Sequence, residues 1–328
     1  HHGEMKWLER HYEKKIEPEK LWNEVRTIVV LGLNYGPQEN PIIDNEKKEK
    51  ANISVYAKNK DYHLVIEEKL RELKKWISDY YKIDSKFFVD KYPVFEKPIA
   101  QMAGLGWIGK HTNLVSKKIG SWFFLSEIFL PIDIDLDSEE SDHCGSCNSC
   151  LDICPTQAFD KAYKIDARKC ISYLTIESKG PIPLSLREKI GNKVYGCDDC
   201  LSICPWNKFS KPTKQKDFKE IHGSNNSLIF FLNFNEDKFE KYFKNSAIKR
   251  IGWIRFLRNI IIATGNSENR YFIEYLKKYL KHEEPLIRGT SVWAFGQICK
   301  NNQEKENIKK TYFPKERNEY VNFEWSIF

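Results

Sequence analysis

The spacing of apolar residues in the first part of the chain predicts alternating strands and helices. A β-branched run at 26–33 predicts a buried strand. Apolar residues recur at helical spacing over 61–81, where Asp61 can cap the first turn, and this predicts a helix. Two more strands are predicted at 86–90, which ends in a carboxylate, and at 122–130, which is nearly all apolar. This alternation favours an α/β layer.

The pattern changes twice further along the chain. Residues 144–208 hold most of the cysteines, and from residue 209 onward the apolar spacing becomes helical. Within that last region residues 258–265 are echoed by residues 288–296, a period of about 30 residues that is typical of stacked helix pairs. We therefore predict three domains, at 1–143 (α/β), 144–208 (ferredoxin-like) and 209–328 (HEAT-like helical repeat).

Composition limits the class of protein. Of the 328 residues, 41% are hydrophobic, which is enough for several cores and argues against wholesale disorder. No apolar run approaches the roughly 20 residues that cross a bilayer, so we expect no membrane partner. The first residue is His1 rather than Met, and we therefore expect the N-terminus to be truncated.

Positive charge is concentrated in the last part of the chain. The net charge is +7, and residues 209–328 hold 22 basic and 14 acidic residues. Such an excess favours a polyanionic partner, although solvated faces of Lys-rich helices would look the same. The residues predicted to line a phosphate-binding face are Arg250, Arg255, Arg258 and Arg288.

Eight of the nine cysteines fall between residues 144 and 204, which favours metal binding over disulfides. The first group, Cys144-x₂-Cys147-x₂-Cys150-x₃-Cys154-Pro, has the spacing of a bacterial ferredoxin, in which three cysteines bind one [4Fe–4S] cluster and the fourth reaches a second cluster. The second group, Cys197-x₂-Cys200-x₃-Cys204-Pro, has Val194 where a leading cysteine would stand.

Cys170 supplies the eighth thiolate that two clusters require, and Cys299 is left as a packing thiol. The spacing then predicts two crossed ligand sets. One consists of Cys144, Cys147, Cys150 and Cys204, and the other of Cys154, Cys170, Cys197 and Cys200. A pair of structural Cys₄ zinc sites is the alternative, which the trailing prolines and the compact first group disfavour.

Several segments outside the cysteine groups are shared with one enzyme family. They are His2-Gly-Glu-Met5, Asp61-Tyr-His63, Ala103-Gly-Leu-Gly-Trp-Ile-Gly-Lys110, Gly120-Ser-Trp-Phe-Phe-Leu125, Cys170-Ile-Ser-Tyr-Leu-Thr175 and Lys179-Gly-Pro-Ile-Pro183. With the cysteine groups, they make the chain resemble the epoxyqueuosine reductases, which are cobalamin-dependent iron–sulfur enzymes.

The resemblance implies an activity. The chain would reduce epoxyqueuosine to queuosine at the wobble position of tRNA, in anticodon stem-loops with GUN anticodons. An external low-potential donor would supply electrons, which would pass through two [4Fe–4S] clusters to cobalamin. Asp90 would be the proton donor; without the resemblance, a strand-end carboxylate of this kind is more simply a turn-capping group. The enzyme would be a cytoplasmic monomer.

The resemblance also implies binding residues. The positions that align with cobalamin contacts are Lys15, Ser54, Asp90, Leu114, Leu125, Ile171, Ser172, Asp198 and Asp199. Lys179 aligns with a loop that contacts tRNA. The Asp-x-His-x-x-Gly signature of an axial cobalt ligand is absent, because the segment that begins at Asp61 lacks the glycine.

Two other functions remain open from the sequence. One is a related cobalamin and iron–sulfur oxidoreductase such as a reductive dehalogenase, although that class uses a tyrosine acid and an export signal. The other is a non-enzymatic electron carrier of the ferredoxin type or an RNA-binding module, which would need neither a corrin pocket nor Asp90.

Overall fold

The computed structural model describes residues 1–219 and 227–328; residues 220–226, which belong to the predicted helical-repeat domain, lie outside the described residues. The chain divides into two compact units, each built of three segments. Unit 1 consists of His1–Pro41, Asn59–Ala167 and the described part of Asp198–Ile221, and unit 2 of Ile42–Lys58, Arg168–Cys197 and the described part of His222–Phe328. Within the described ranges, no helix combines the length and apolar character that a membrane crossing requires.

The strands are mostly short. They are β1 Thr27–Asn34, β2 Asn52–Ile53, β3 Lys86–Phe88, β4 Trp107–Ile108, β5 Leu114–Val115, β6 Phe123–Leu130, β7 Phe159–Lys161, β8 Lys164–Ile165 and β9 Lys193–Tyr195. The α-helices are α1 Tyr12–Ile16, α2 Tyr62–Tyr81, α3 Glu96–Met102, α4 Ser149–Asp152, α5 Ile171–Ile176, α6 Leu184–Ile190, α7 Asp199–Ser202, α8 Leu228–Leu232, α9 Glu236–Tyr242, α10 Gly252–Asn266, α11 Ile273–Tyr279, α12 Pro285–Ile298, α13 Asn302–Tyr312 and α14 Glu319–Ser326.

The main sheet of unit 1 has the strand order β1-β6-β3, and both neighbouring pairs are antiparallel. The predicted strand–helix–strand alternation is present as β1, α2 and β3, whose two strands run in the same direction. The parallel pairing that such alternation favours is absent here, because the later strand β6 lies between them. The predicted strands and the helix between them are therefore present, in a sheet whose neighbouring strands are antiparallel.

Helix α2 confirms the helix that the apolar spacing predicts over 61–81. The Asp61 side chain accepts a hydrogen bond from the backbone N–H of His63 and caps the first turn. The buried face of Ile66, Leu70 and Ile77 packs against Ile128 of β6 in one core cluster. Each such side chain contributes roughly 1.5–3 kcal/mol when fully buried, so this face anchors the helix.

The other face of β6 is buried as well, as the apolar run predicts. Phe129 packs with Trp22 and Phe88, and Phe123 packs with Ala100 and Leu114. Glu127 points to this same face, because side chains alternate along a strand, and it is fully buried there. The sheet thus carries one carboxyl group within an apolar layer.

In unit 2, helix α10 packs closely against helix α12, which in turn contacts α11 and α14. Gly265 allows the close approach, since a Cβ at this position would lie 2.8 Å from the Trp293 ring and 3.0 Å from Ala294 Cα. A buried bidentate ion pair joins Arg187 of α6 to Glu324 of α14, with N–O distances of 2.9 and 2.6 Å. Removing one partner of such a pair costs about 3–5 kcal/mol.

Candidate functional site

Four of the eight clustered cysteines line one cavity in unit 1, together with Lys110, His111, Pro205 and Trp206. They are Cys144, Cys147, Cys150 and Cys204. Burial, and then the facing thiolates of the other three, raises the pKa of Cys150 to about 11. Four thiolates in one cavity repel one another unless a cationic centre lies between them, and iron–sulfur clusters are bound by such sets.

The geometry is therefore the one that the first crossed ligand set requires, with Cys204 beside three cysteines more than fifty residues earlier. Among the residues that the structure describes, no three His, Cys, Asp or Glu side chains converge closely enough for a single metal ion.

Three side chains organise the wall of this cavity. Trp107 Nε1 donates a hydrogen bond to Cys144 Sγ at 3.4 Å. Lys110 Nζ donates to the carbonyl oxygens of Gly145 at 2.7 Å and Cys147 at 2.9 Å, which fixes the loop between the first two ligands. Burial, and then the nearby Lys97 ammonium, lowers the pKa of His111 to about 4. The imidazole is therefore neutral.

The other four clustered cysteines belong to both units. Cys154 and Cys200 lie in unit 1, and Cys154 Sγ accepts a hydrogen bond from the Ala158 N–H at 3.3 Å. Cys170 and Cys197 lie in unit 2, where Cys170 is the N-cap of α5. The second ligand set stays a prediction. Cys299 is fully buried beside α13, in accord with a packing thiol.

Asp90 lies two residues after β3 and is held from the protein side by three groups. Its carboxylate accepts hydrogen bonds from the Tyr62 hydroxyl and from His63 Nε2, the latter at 3.2 Å. Its backbone N–H donates to Glu96 Oε1 at 2.6 Å, and its φ of +38° is a conformation that L-residues rarely adopt. The side chain is nevertheless 55% exposed, so one side of the carboxylate is open to a ligand.

His63 links two carboxylates. Its Nδ1 lies 2.8 Å from Asp61 Oδ1 and its Nε2 3.2 Å from Asp90 Oδ2. Burial favours the neutral imidazole, but the hydrogen bonds to Asp61 and Asp90 outweigh it and raise the pKa of His63 to about 9. At neutral pH the ring is an imidazolium that donates from both nitrogens. Tyr62, stacked on Phe124 at 4.3 Å, is fixed beside it.

Two further carboxyl groups, those of Glu96 and Glu127, interact electrostatically with Asp90. Burial, followed by the charge of Asp90, raises the pKa of Glu96 to about 7. Burial, followed by the charges of Glu96 and Asp90, raises the pKa of Glu127 to about 9. Neither carboxyl oxygen of Glu127 has a hydrogen-bond partner in the described part of the chain. Glu127 is therefore protonated at neutral pH and adds no second negative charge to the site.

The predicted cobalamin contacts of unit 1 differ in what they offer a ligand. Asp90 presents an open carboxylate, and Leu125 is partly buried at the edge of a core cluster. The Leu114 side chain is only 5% exposed and packs inside that cluster. Lys15 is also buried, and its ammonium donates to the Leu8 carbonyl at 2.9 Å. Of these four residues, Asp90 has the most exposed polar side chain.

The other predicted contacts lie near helix starts. Asp198 is the N-cap of α7 and Asp199 its buried first residue. In unit 2, Ile171 and Ser172 begin α5, with Ile171 buried and Ser172 half-buried. Ser54 is buried and its backbone N–H donates to the Tyr195 carbonyl at 2.8 Å. A contact by Ser54 therefore involves its backbone or a small hydroxyl edge.

The prediction that Arg258 lines a phosphate-binding face is wrong. The residue is fully buried in α10 and donates to the carbonyl oxygens of Leu174, Ser178 and Gly180 at 2.7–2.8 Å. These bonds hold the segment that carries the exposed Lys179.

The remaining three arginines of the predicted face are also engaged. Arg250 pairs with Glu177 at 2.6 Å, and Arg288 pairs with Glu316. Arg255 donates to the Ile176 carbonyl at 2.9 Å. Their role in binding phosphates stays a prediction, since each guanidinium already has an acceptor within the protein.

The sequence analysis missed four residues of the Asp90 site, namely Tyr62, His63, Glu96 and Glu127. A signal for Glu127 was present, since it is the single ionisable residue in the apolar run of β6. His63 was considered only as a cobalt ligand. Glu96 had no signal, because its contact with Asp90 depends on a tight turn after β3.

Comparison with known protein families gives two matches. Residues 143–207 match the 4Fe-4S double cluster binding domain, and residues 15–91 match the model described as epoxyqueuosine reductase QueG, DUF1730.

Curated proteins similar to this chain include epoxyqueuosine reductases from two bacteria. The one from Pseudomonas aeruginosa is 42% identical over 303 residues, which cover 90% of this chain and 83% of that protein. The one from Escherichia coli K12 is 39% identical over 302 residues, which cover 90% of this chain and 79% of that protein.

Solved structures similar to this chain carry the same description. An epoxyqueuosine reductase crystallised with an epoxyqueuosine-modified tRNA-Tyr stem loop has a TM-score of 0.87 at 29% identity, covering 96% of this chain and 84% of that one. The Bacillus subtilis enzyme, with its catalytic loop swung out of the active site, has a TM-score of 0.86 at 27% identity, covering 97% and 85%.

Proposed function

The chain belongs to the epoxyqueuosine reductase family and is an oxidoreductase with two [4Fe–4S] clusters, and from this premise we propose how its residues remove the epoxide oxygen of epoxyqueuosine in tRNA. Membership of this family sets aside the dehalogenase and the electron-carrier alternatives. The observation that carries the proposal is the Asp90 carboxylate, which is held by Tyr62 and His63 on one side and open on the other.

The reaction fixes what the site must deliver. Converting an epoxide into an alkene breaks two C–O bonds, consumes two electrons and two protons, and releases water. The clusters would supply the electrons, and acidic residues at the site must pass the protons to the leaving oxygen. An external low-potential donor supplies the electrons.

Cobalamin is the proposed site of the electron chemistry. A bound corrin would supply a redox-active metal centre for the two-electron chemistry, which no side chain can provide. The residues proposed to hold it are Lys15, Ser54, Asp90, Leu114, Leu125, Ile171, Ser172, Asp198 and Asp199. The open Asp90 carboxylate supports this placement, because a carboxyl group there faces a bound ligand rather than the core.

Asp90 is the proposed donor of the first proton. A leaving alkoxide is protonated most efficiently by an acid within hydrogen-bond reach. Tyr62 and His63 orient the carboxyl group, and Glu96 holds the backbone N–H of the same residue. The φ of +38° is a backbone conformation that L-residues rarely adopt, so the turn at Asp90 depends on these surrounding bonds.

His63 is the proposed source of the proton that Asp90 donates. As an imidazolium it carries a hydrogen on Nε2, 3.2 Å from Asp90 Oδ2, and it can transfer this proton to the Asp90 carboxylate, which passes it to the leaving oxygen. Asp61 on Nδ1 stabilises the charged ring and keeps it in position. The imidazolium thus supplies one of the two protons, and water supplies the second by reprotonating the ring through the partly exposed Asp90.

The substrate side of the proposal involves unit 2. Lys179 lies on the exposed segment that Arg258 holds from below, where an ammonium can meet a phosphate of an anticodon stem-loop. Bases of an anticodon loop can be unstacked and drawn into a pocket. The similar enzyme that was crystallised with a modified stem loop supports this interpretation. We further propose GUN anticodons as the targets and a cytoplasmic monomer as the working form.

The test compares Asp90→Asn with Asp135→Asn, an exposed aspartate outside the site. Both variants are reconstituted without oxygen with iron, sulfide and cobalamin, and queuosine in modified tRNA is measured by mass spectrometry of nucleosides. We expect Asp90→Asn to lose about 10²–10⁴-fold in rate while its cluster and corrin spectra stay unchanged. Asp135→Asn is expected to match the wild type. Normal turnover by Asp90→Asn would refute the acid role.

A further inference from the structure

His111 is a buried side chain beside the first cluster cavity to which the reaction assigns no role. It follows β4 in the hairpin that β4 and β5 form, and only 2% of it is exposed. It lines the cavity of Cys144, Cys147, Cys150 and Cys204. Its Nε2 is buried and has no hydrogen-bond partner among residues 1–219 and 227–328.

The hydrogen bonds of the ring determine which nitrogen carries the hydrogen. The backbone N–H of Asn113 donates to His111 Nδ1 at 3.2 Å. An imidazole nitrogen that accepts a hydrogen bond has no hydrogen of its own, so in the neutral ring the hydrogen is on Nε2. The cavity therefore has in its wall a buried N–H donor that lacks an acceptor in the described part of the chain.

A donor in this state is rare in folded proteins, because burying an N–H without an acceptor costs free energy. The acceptors that belong in this cavity are the thiolate and sulfide sulfurs of a [4Fe–4S] cluster. Trp107 Nε1 already donates to one of them, Cys144 Sγ, at 3.4 Å. The Trp107 ring is fully buried and packs edge-on to Trp206, so little water reaches this wall.

We propose that His111 Nε2–H donates a hydrogen bond to a sulfur of the first cluster and thereby raises its reduction potential. The reduced cluster carries one more negative charge than the oxidised cluster, so a fixed N–H dipole stabilises the reduced form more. The backbone N–H of Asn113 donates to Nδ1, and this leaves the hydrogen of the neutral ring on Nε2. The proposal rests on the first crossed ligand set and on neither cobalamin nor tRNA.

The local packing is built around this ring. A Cβ at Gly109 would lie 3.3 Å from His111 Cε1 and 3.4 Å from Nε2, and 2.9 Å from Val115 Cγ2. A side chain there would press on the imidazole and move its Nε2. The glycine therefore leaves room for the orientation that the hydrogen bond requires.

The test is an oxygen-free redox titration of the full chain with both clusters, followed by electron paramagnetic resonance. His111→Leu removes the donor at similar volume, His111→Gln keeps an N–H donor, and His282→Leu is a histidine control in unit 2. We expect His111→Leu to lower the midpoint potential of one cluster and leave the other unchanged, with about eight irons per chain. His111→Gln is expected to restore part of the shift. Unchanged potentials in His111→Leu, or equal shifts of both clusters, would overturn the proposal.

A second measurement needs no substitution that could disturb folding. Wild-type protein labelled with ¹⁵N-histidine is reduced, and pulsed paramagnetic resonance records nitrogen couplings to the cluster spin. We expect a histidine coupling, and we expect it to disappear in His111→Gln and persist in His282→Leu. Absence of any histidine coupling in the wild type would refute the hydrogen bond. Both measurements leave tRNA turnover out, so they fail or succeed independently of the proposed reaction.

Discussion

At the scale of single residues, the surroundings of each carboxyl group in the site determine whether it is charged or neutral. Asp90 receives hydrogen bonds from Tyr62 and His63, whereas Glu127 receives none in the described chain and is held in its neutral form by burial. Several carboxyl groups so near one another would repel if all were ionised. The imidazolium of His63 offsets the charge of Asp90 and stores a proton beside it.

The first prediction concerns the pH dependence of turnover through His63. Since the pKa of His63 is raised to about 9, the imidazolium is present at neutral pH and is lost as pH rises through about 9. We expect the single-turnover rate of the wild type to fall over that range. His63→Gln is expected to be about 10²-fold slower at neutral pH and to lack this alkaline decrease.

The raised pKa of His63 also makes the free energy of unfolding depend on pH. The stabilisation that the charged ring contributes is fully present below about pH 6.5, the pKa of histidine in the unfolded chain, and it is lost as pH rises through about 9. The thermal midpoint of the wild type should therefore fall more steeply than that of His63→Gln above neutral pH. His282→Gln serves as the control. A His63→Gln variant that keeps the wild-type alkaline decrease in rate would exclude His63 as a proton source.

At the scale of elements, a buried arginine of α10 determines the position of a surface loop. Arg258 donates to carbonyl oxygens at both sides of Lys179, in Ser178 and Gly180, and to Leu174 of α5. The guanidinium also bonds Asn259 Oδ1, whose amide donates to the Thr175 and Val194 carbonyls. The loop conformation thus depends on the planar fork of one side chain.

The second prediction concerns a variant in which lysine replaces the guanidinium group of Arg258. Arg258→Lys keeps the charge but cannot reach all three carbonyl oxygens, and each buried group left without a partner costs about 1–3 kcal/mol. We expect a lower thermal midpoint and weaker binding of a tRNA stem-loop, measured by fluorescence anisotropy. Arg317→Lys, at an exposed arginine of the same unit, should change neither. Wild-type stability and binding in Arg258→Lys would show that the fork is dispensable.

At the scale of the whole molecule, the net charge of +7 and the basic last region suit a polyanionic substrate. The arginines there are largely engaged within the protein, as Arg258 and Arg288 show. We therefore expect the long-range attraction of tRNA to come from the summed charge, and the proposed specific contacts to come from a few exposed side chains such as Lys179.

The third prediction separates these two contributions. The logarithm of the tRNA association constant should fall linearly with the logarithm of salt concentration, because bound counterions are released. Lys179→Ala is expected to reduce the slope by about 0.7, equivalent to one phosphate contact on a single strand. Lys161→Ala, at an exposed lysine of unit 1, should leave the slope unchanged. An unchanged slope in Lys179→Ala would remove this residue from the interface.

Local patterns predicted the elements more fully than their arrangement. Helix α2 with its Asp61 cap and the buried strand β6 follow from spacing within each segment. The placement of β6 between β1 and β3 depends on pairing across distant segments, which no local pattern encodes. The composition of the chain likewise does not predict that it forms two compact units of three segments each. The three predicted domain ranges stay predictions.

The candidate site, like the fold, could be predicted from the sequence only in part. The spacing of the cysteines predicted that Cys204 would join a set sixty residues earlier in the sequence, and the cavity brings these four together. The residues of the proposed proton transfer required the fold, since His63 meets Asp90 only through the packing of α2 beside the turn after β3. Arg258 was misjudged because sequence alone does not reveal whether an arginine on a helix is buried.

The most direct measurement of the central claim counts electrons against product. Oxygen-free protein with both clusters and cobalamin is titrated with a calibrated reductant in the presence of epoxyqueuosine-containing tRNA, and queuosine is quantified by mass spectrometry. Beyond the electrons that reduce the clusters and cobalamin, which a parallel titration without tRNA measures, we expect one queuosine for every two electrons consumed. Additional electrons consumed without queuosine, or queuosine formed without additional electrons, would contradict this expectation.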